Sequence, residues 1–225
     1  MKKILIIGLS IAVLGCHKKE ERHNYYPVEI GNRWEYEFIF SAQFKIGPLD
    51  SVIVDSADGY VEIVRMDRLT SGEEVYVDSM VLKPRNPNST FISETTFVSY
   101  IRVTEDTIFT YSKKSDTKPS GVEPKELDVG VSWKSGLPGW LAPEAHNLSE
   151  DTTATAEVIS KEGVDSFPDC LHIKYTTNTG KLINEWRADN IGIVKMETSF
   201  DIPYPPLVNI PLTIRGKLVS YEIKD

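Results

Sequence analysis

Two cysteines, four histidines and one Ser-x-x-Lys spacing are where this 225-residue chain could do side-chain chemistry. A thiol can be acylated, oxidised or bound to a metal. An imidazole can move protons or ligate zinc, and a Ser three residues before a Lys can be an activated nucleophile. Ser115-Asp116-Thr117-Lys118 has that last spacing, but Lys-rich, polar flanks mark it as a solvated loop. His17 and His23 lie in a charged N-terminal stretch, His146 in a loop, and His172 on one side of a strand pattern, so no metal set forms. The G-x-S-x-G, H-E-x-x-H, G-x-x-x-x-G-K-[ST] and EF-hand spacings do not occur. Carboxylates are many but scattered through turns, and none is nominated as half of a glycosidase-type pair. The chain reads as a non-enzyme without cofactor or metal.

Cys16 stands apart. Lys2 and Lys3 precede an apolar run from Ile4 to Leu14, and His17-Lys18-Lys19-Glu20-Glu21-Arg22 follows the Cys. The run matches a secretion-signal core and is too short for a spanning helix, which needs about 20 apolar residues. Val13-Leu14-Gly15-Cys16 resembles the bacterial lipoprotein box, with Val13 where Leu is commoner. The resemblance implies that Cys16 is diacylated and becomes the first residue after cleavage. The competing readings are an ordinary cleaved signal with an incidental Cys, or an uncleaved anchor. Several acyl chains, each buried methylene contributing about 0.8 kcal/mol, would hold the protein on a bilayer. His17 rather than Asp after the Cys favours the outer membrane, facing the periplasm.

The expected organisation is a signal over 1–15, a lipidated Cys with polar tether over 16–25, and one domain over 26–225. Removing the signal leaves roughly 210 residues and, with Lys2 and Lys3 gone, moves the formal charge from −8 to −10. An acidic domain without basic clusters argues against nucleic-acid partners. Cys170 is then alone, so the domain stands on its core without an internal disulfide. Its strand setting and lack of a cationic neighbour mark it as a buried, inert thiol.

From Trp34 onward the pattern is strand-like. Trp34, Tyr36, Phe38 and Phe40 alternate with Glu35 and Glu37, giving one aromatic face. Further strands are expected at 51–55, 60–66, 74–82, 95–103, 107–112, 152–160, 170–177, 182–187, 192–200 and 213–223. Turns are expected at Asp58-Gly59, Ser71-Gly72 and Thr177-Asn178-Thr179-Gly180. Beyond the signal helix, only a few helical turns around Pro138–Leu148 are expected. The fold class is mostly β: about ten antiparallel strands curled around one core. One echo has physical content. Val28-Glu29-Ile30-Gly31-Asn32-Arg33-Trp34 and Leu127-Asp128-Val129-Gly130-Val131-Ser132-Trp133 share aliphatic, acid, aliphatic, Gly, two residues, Trp. Two equivalent turns, each opening one half of the domain and delivering a Trp inward, are expected.

Tyr26-Pro27-Val28-Glu29-Ile30-Gly31-Asn32-Arg33-Trp34-Glu35-Tyr36 resembles the YPLxxGNxWxY opening of an uncharacterised bacterial lipoprotein family. Gly163 to Leu171 looks like that family's G-x-F-x-x-C-L segment. Glu185 to Lys195 looks like its W/Y-x-A-x-x-V/I-G-I/L-V-K segment, with Trp186 where Tyr is common. The resemblance implies an open half-barrel similar to the LolA/LolB-like carriers of lipoprotein localisation, and no established activity.

Two loops are apolar where loops are normally polar, Gly136 to His146 and Ile202 to Pro211. Exposed apolar surface marks partner or ligand sites, which nominates Trp140, Leu141, Tyr204 and Leu207. The other reading is that these loops plug the open end of the sheet. The functional expectation is a noncatalytic envelope module binding an apolar or lipid ligand; the alternative is a structural accessory of an envelope protein complex.

Overall fold

The computed structural model describes residues 23–46, 49–89, 93–137, 153–204 and 208–224. Their strands are β1 (Arg33–Ile46), β2 (Leu49–Arg68), β3 (Glu74–Pro84), β4 (Thr95–Val103), β5 (Thr107–Tyr111) and β6 (Gly121–Pro124). The second half supplies β7 (Ser132–Ser135), β8 (Ala154–Val164), β9 (Phe167–Thr177), β10 (Leu182–Ala188), β11 (Gly192–Tyr204) and β12 (Val208–Glu222). All twelve lie in one sheet, ordered β6-β5-β4-β3-β2-β1-β12-β11-β10-β9-β8-β7. Every neighbour is antiparallel, and the first strand is zipped to the last from Arg33↔Glu222 to Ala42↔Leu212. The sheet therefore curls into a nearly closed barrel rather than the expected open half-barrel. Its seam lies between β6 and β7, where Gly136 packs so tightly on the Ser120 carbonyl that a Cβ would overlap it. No ladder pairs the two edge strands among the described residues. Both are four residues long, and Gly121 and Pro124 bracket β6, a composition suited to blunting a sheet edge.

The two opening turns are equivalent. Gly31 and Gly130 have φ of 91° and 92°, a region nearly closed to residues with a side chain. Gly31 N–H donates to the Ile63 carbonyl and Gly130 N–H to the Val158 carbonyl, both at 2.8 Å. Ile63 N–H returns a bond to Asn32, and Val158 N–H returns one to Val131. A β-bulge follows each acceptor, between Ile63 and Arg65 and between Val158 and Ser160. β1–β6 and β7–β12 are thus two copies of one plan.

The twelve strands differ from the expected set in two opposite ways. β6 and β7, too short to show alternation, are added, while Asp58-Gly59 is no turn but the middle of the 20-residue β2, which joins the strands expected at 51–55 and 60–66. Gly59 pairs Tyr36 on one side and Leu82 on the other. A Cβ on Gly59 would lie 2.7 Å from Phe38 Cε2, and one on Gly216 of β12 would lie 2.8 Å from Phe38 Cε1. The Phe38 ring fills the space these two glycines leave on flanking strands. A glycine read as a turn signal is instead a site of close approach. The expected turns at Ser71-Gly72 and Thr177 to Gly180 are present, closed by Gly72 N–H to Leu69 and Gly180 N–H to Thr177. The signal helix and the helical turns expected near Pro138–Leu148 lie outside the described residues.

The aromatic face of β1 points into the core. Trp34, Tyr36 and Phe38 are buried with Ile63, Met80, Ile101 and Met196, while a second cluster forms around Leu171, Ile173, Tyr175 and Ile183. Burying side chains of this size contributes about 1.5–3 kcal/mol each. Cys170 is buried, and burial raises its thiol pKa, as an inert thiol requires.

Candidate functional site: an interior cavity

The described residues do not fill the barrel. A cavity of about 870 Å³ lies within it, a size typical of small-ligand sites. Its apolar wall comes from the inward phase of the strands: Trp34, Tyr36 and Phe38 of β1, Val61 and Ile63 of β2, Met80 of β3 and Met196 of β11. Tyr26 and Pro27, which precede β1, complete the same wall. Asn32 is fully buried and ties this segment down, donating through Nδ2 to the Pro27 carbonyl at 3.2 Å and accepting from Lys224 N–H at 2.8 Å. The opening motif therefore builds one wall of the cavity.

Charged groups also face inward. Arg187 of β10 donates through Nη1 and Nη2 to both oxygens of Glu123 on β6, the second bond being 3.0 Å. Its Nε donates to Glu185, and Nη2 also donates to the Tyr175 hydroxyl at 3.2 Å. The guanidinium carbon lies 5.4 Å from the Tyr26 ring centroid. The pairing joins the seam strand β6 to β10 and acts as a strut. Burial opposes the Arg187 charge, but Glu123 and Glu185 outweigh it and hold the guanidinium pKa well above its ordinary value. Burial raises the Glu123 carboxyl, with Arg187 pulling the other way. Burial likewise raises the phenols of Tyr26, Tyr36 and Tyr175.

Asp78 of β3 is the exception in this polar set. Ser99 Oγ on β4 donates to its Oδ2 at 3.1 Å, while Oδ1 is enclosed and has no partner. Burial raises its pKa from 3.8 to about 6, and the Ser99 bond only partly offsets this. A buried carboxylate oxygen left unpaired costs about 1–3 kcal/mol or more.

No protein-family model and no curated protein matches the sequence. Among solved structures the chain is similar to a DUF1329 family protein from Desulfovibrio piger. The two share 13% identity over 88% of each chain, with a TM-score of 0.28. A likeness at that level assigns no function to this chain. The resemblance drawn from the Tyr26–Tyr36, Gly163–Leu171 and Glu185–Lys195 segments rests on those motifs.

Cys16, Trp140, Leu141 and Leu207 lie outside the described residues. Tyr204 ends β11, and its side chain is outside them as well. Leu137, the last described residue of the first apolar loop, lines the cavity. His172 is elsewhere: it stacks on Trp186 at 4.3 Å, bonds Asn184 at 3.0 Å and pairs with Glu162 at 3.2 Å. Ser115 and Lys118 are exposed in the turn after β5. Among the described residues no three His, Cys, Asp or Glu side chains form a metal-holding group.

Sequence reasoning missed Asp78, Glu123, Glu185 and Arg187. One signal was present. Glu185 and Arg187 are two apart in a strand with Ile183 and so share its inward phase. Asp78 gave a weaker one, lying between Tyr76 and Met80 in a strand apolar on both phases.

Proposed function

We propose that the protein is a noncatalytic binding module whose barrel holds an apolar or amphipathic ligand, tethered to the envelope through acyl chains on Cys16. The observation that carries this reading is the cavity of about 870 Å³, walled by Trp34, Phe38, Ile63, Met80 and Met196 with a polar patch at Asp78 and Arg187. Well-packed interiors leave few voids larger than a water molecule. The tether from His17 to Tyr25 spans at most ~3.5 Å per residue, which keeps the barrel near the bilayer and favours a ligand found there. The lipobox supports lipid anchoring, and His17 rather than Asp after Cys16 favours the outer membrane, facing the periplasm.

The test of binding is titration with the neutral apolar fluorophore N-phenyl-1-naphthylamine. Saturable one-to-one binding is expected, weakened by about tenfold or more in the double variant Met80→Trp, Met196→Trp, which intrudes on the apolar wall from two strands. Absence of saturable binding by the wild type, or binding unchanged in the folded double variant, overturns the reading. For the anchor, labelling by radioactive palmitate should be lost in Cys16→Ser; retained labelling refutes it.

A further inference from the structure

The cavity's charged groups are unevenly matched. Asp78, Glu123 and Glu185 line it with Arg187, and Lys113 lies on its exposed rim. Arg187 is bound by both Glu123 and Glu185. Whatever proton that triad holds, it has no positive charge left for a ligand. Asp78 is the converse: it lines the same space from a different strand and has no cationic partner among the described residues, Ser99 bonding one oxygen and the other lying enclosed without a partner. A chain-like ligand filling the apolar wall would bring its polar end within reach of that carboxylate.

We propose that Asp78 is the head-group recognition residue of this cavity and that its ligands are amphiphiles with a cationic, hydrogen-bond-donating head, such as a primary ammonium. The inference rests on the binding-module reading and deepens it. A donor N–H would bond the carboxylate where Asp78 meets the cavity, a small rotation of the side chain bringing Oδ1 round while Ser99 Oγ keeps Oδ2. Charge-assisted bonds of this kind are about twice as strong as neutral ones. A carboxylate-headed chain meets like charge at Asp78 and no free cation at Arg187, with Lys113 only on the solvent-exposed rim, and so is disfavoured. This is selection by repulsion as well as attraction.

The experiment uses the full-length Cys16→Ser protein and N-phenyl-1-naphthylamine as reporter, displaced at pH 7.5 by decylammonium, decanol or decanoate. The three share one chain and differ in head. Decylammonium should displace the reporter at a concentration about tenfold or more below decanoate, with decanol between, as coupling of buried charges implies. Asp78→Asn should erase most of that preference, with the three displacement constants in each variant compared after correction for that variant's own reporter affinity. Decyltrimethylammonium, with charge but no donor, should fall short of decylammonium. Reporter bound but displaced equally by amine and carboxylate overturns this inference and leaves the binding module standing. A preference that survives both Asp78→Asn and Asp78→Ser overturns the role of Asp78. No reporter binding by the parent protein overturns both readings.

Discussion

Replacing Asp78 by Asn should make the barrel more stable, and the gain should depend on pH in a calculable way. The carboxyl has a pKa of about 6 in the folded protein against 3.8 for an unperturbed aspartate, because burial penalises its charge. Between those values the folded state holds a proton that the unfolded chain has released. Stability from this group is therefore present at acid pH and lost as pH rises through about 6. Linkage puts the loss at about 3 kcal/mol at pH 7.5, about 1.6 at pH 5 and about 0.4 at pH 3.8. Asparagine has the same shape and cannot ionise, so it escapes this cost. Its own unpartnered N–H takes back about 1 kcal/mol or more at every pH. The diagnostic quantity is the change in the difference, about 1.4 kcal/mol in favour of Asn between pH 5 and pH 7.5. Urea unfolding of both proteins at the two pH values measures it, with titrations elsewhere in the chain cancelling. A difference that stays flat with pH, or moves against Asn as pH rises, would show that Asp78 is solvated or paired and refute the reasoning. A positive result also has a functional meaning, because a group that costs stability in the free protein is a candidate for one retained for binding.

Arg187→Met should destabilise the fold by about 3–5 kcal/mol, since it strands two buried carboxylates; adding Glu123→Gln and Glu185→Gln should recover most of the loss, as read by urea melts. Gly216→Ala places a methyl 2.6 Å from Met196 Cγ and 2.8 Å from Phe38, and overpacking of that kind should lower stability by about 1–3 kcal/mol in the same assay. The Cys170 thiol, buried and with a raised pKa, should react with Ellman's reagent only as fast as the protein opens. Labelling at the rate of a free thiol in native buffer would contradict its burial.

Local pattern carries far in this chain. The alternation from Trp34 to Phe40, the hairpin turn at Gly180 and the paired Gly31 and Gly130 turns are all properties of a few consecutive residues, and each is present as read. Backbone sterics act over that range, so sequence reports them. The same logic failed at Asp58-Gly59, because the need for glycine there comes from the Phe38 ring on the neighbouring strand. Ser132-Trp133-Lys134-Ser135 and Gly121 to Pro124 were missed for a related reason. Strands of four residues are defined by what lies beside them.

The apolar loops drew attention because apolar residues in a loop are visible in sequence. The charged lining of the cavity showed only through its phase, Glu185 and Arg187 falling in step with Ile183, because charge within a strand looks the same whether it points inward or outward. By itself the sequence determined a β-rich chain built in two halves, with its aromatic strand face, its opening turns and its solitary thiol. Only the tertiary structure decided that the two halves curl into a nearly closed barrel, that its described residues leave a cavity, and that Glu123 meets Arg187 from 64 residues away while one oxygen of Asp78 has no partner among the described residues. Those outcomes depend on register and curvature summed around twelve strands, a long-range property that no local window of residues encodes.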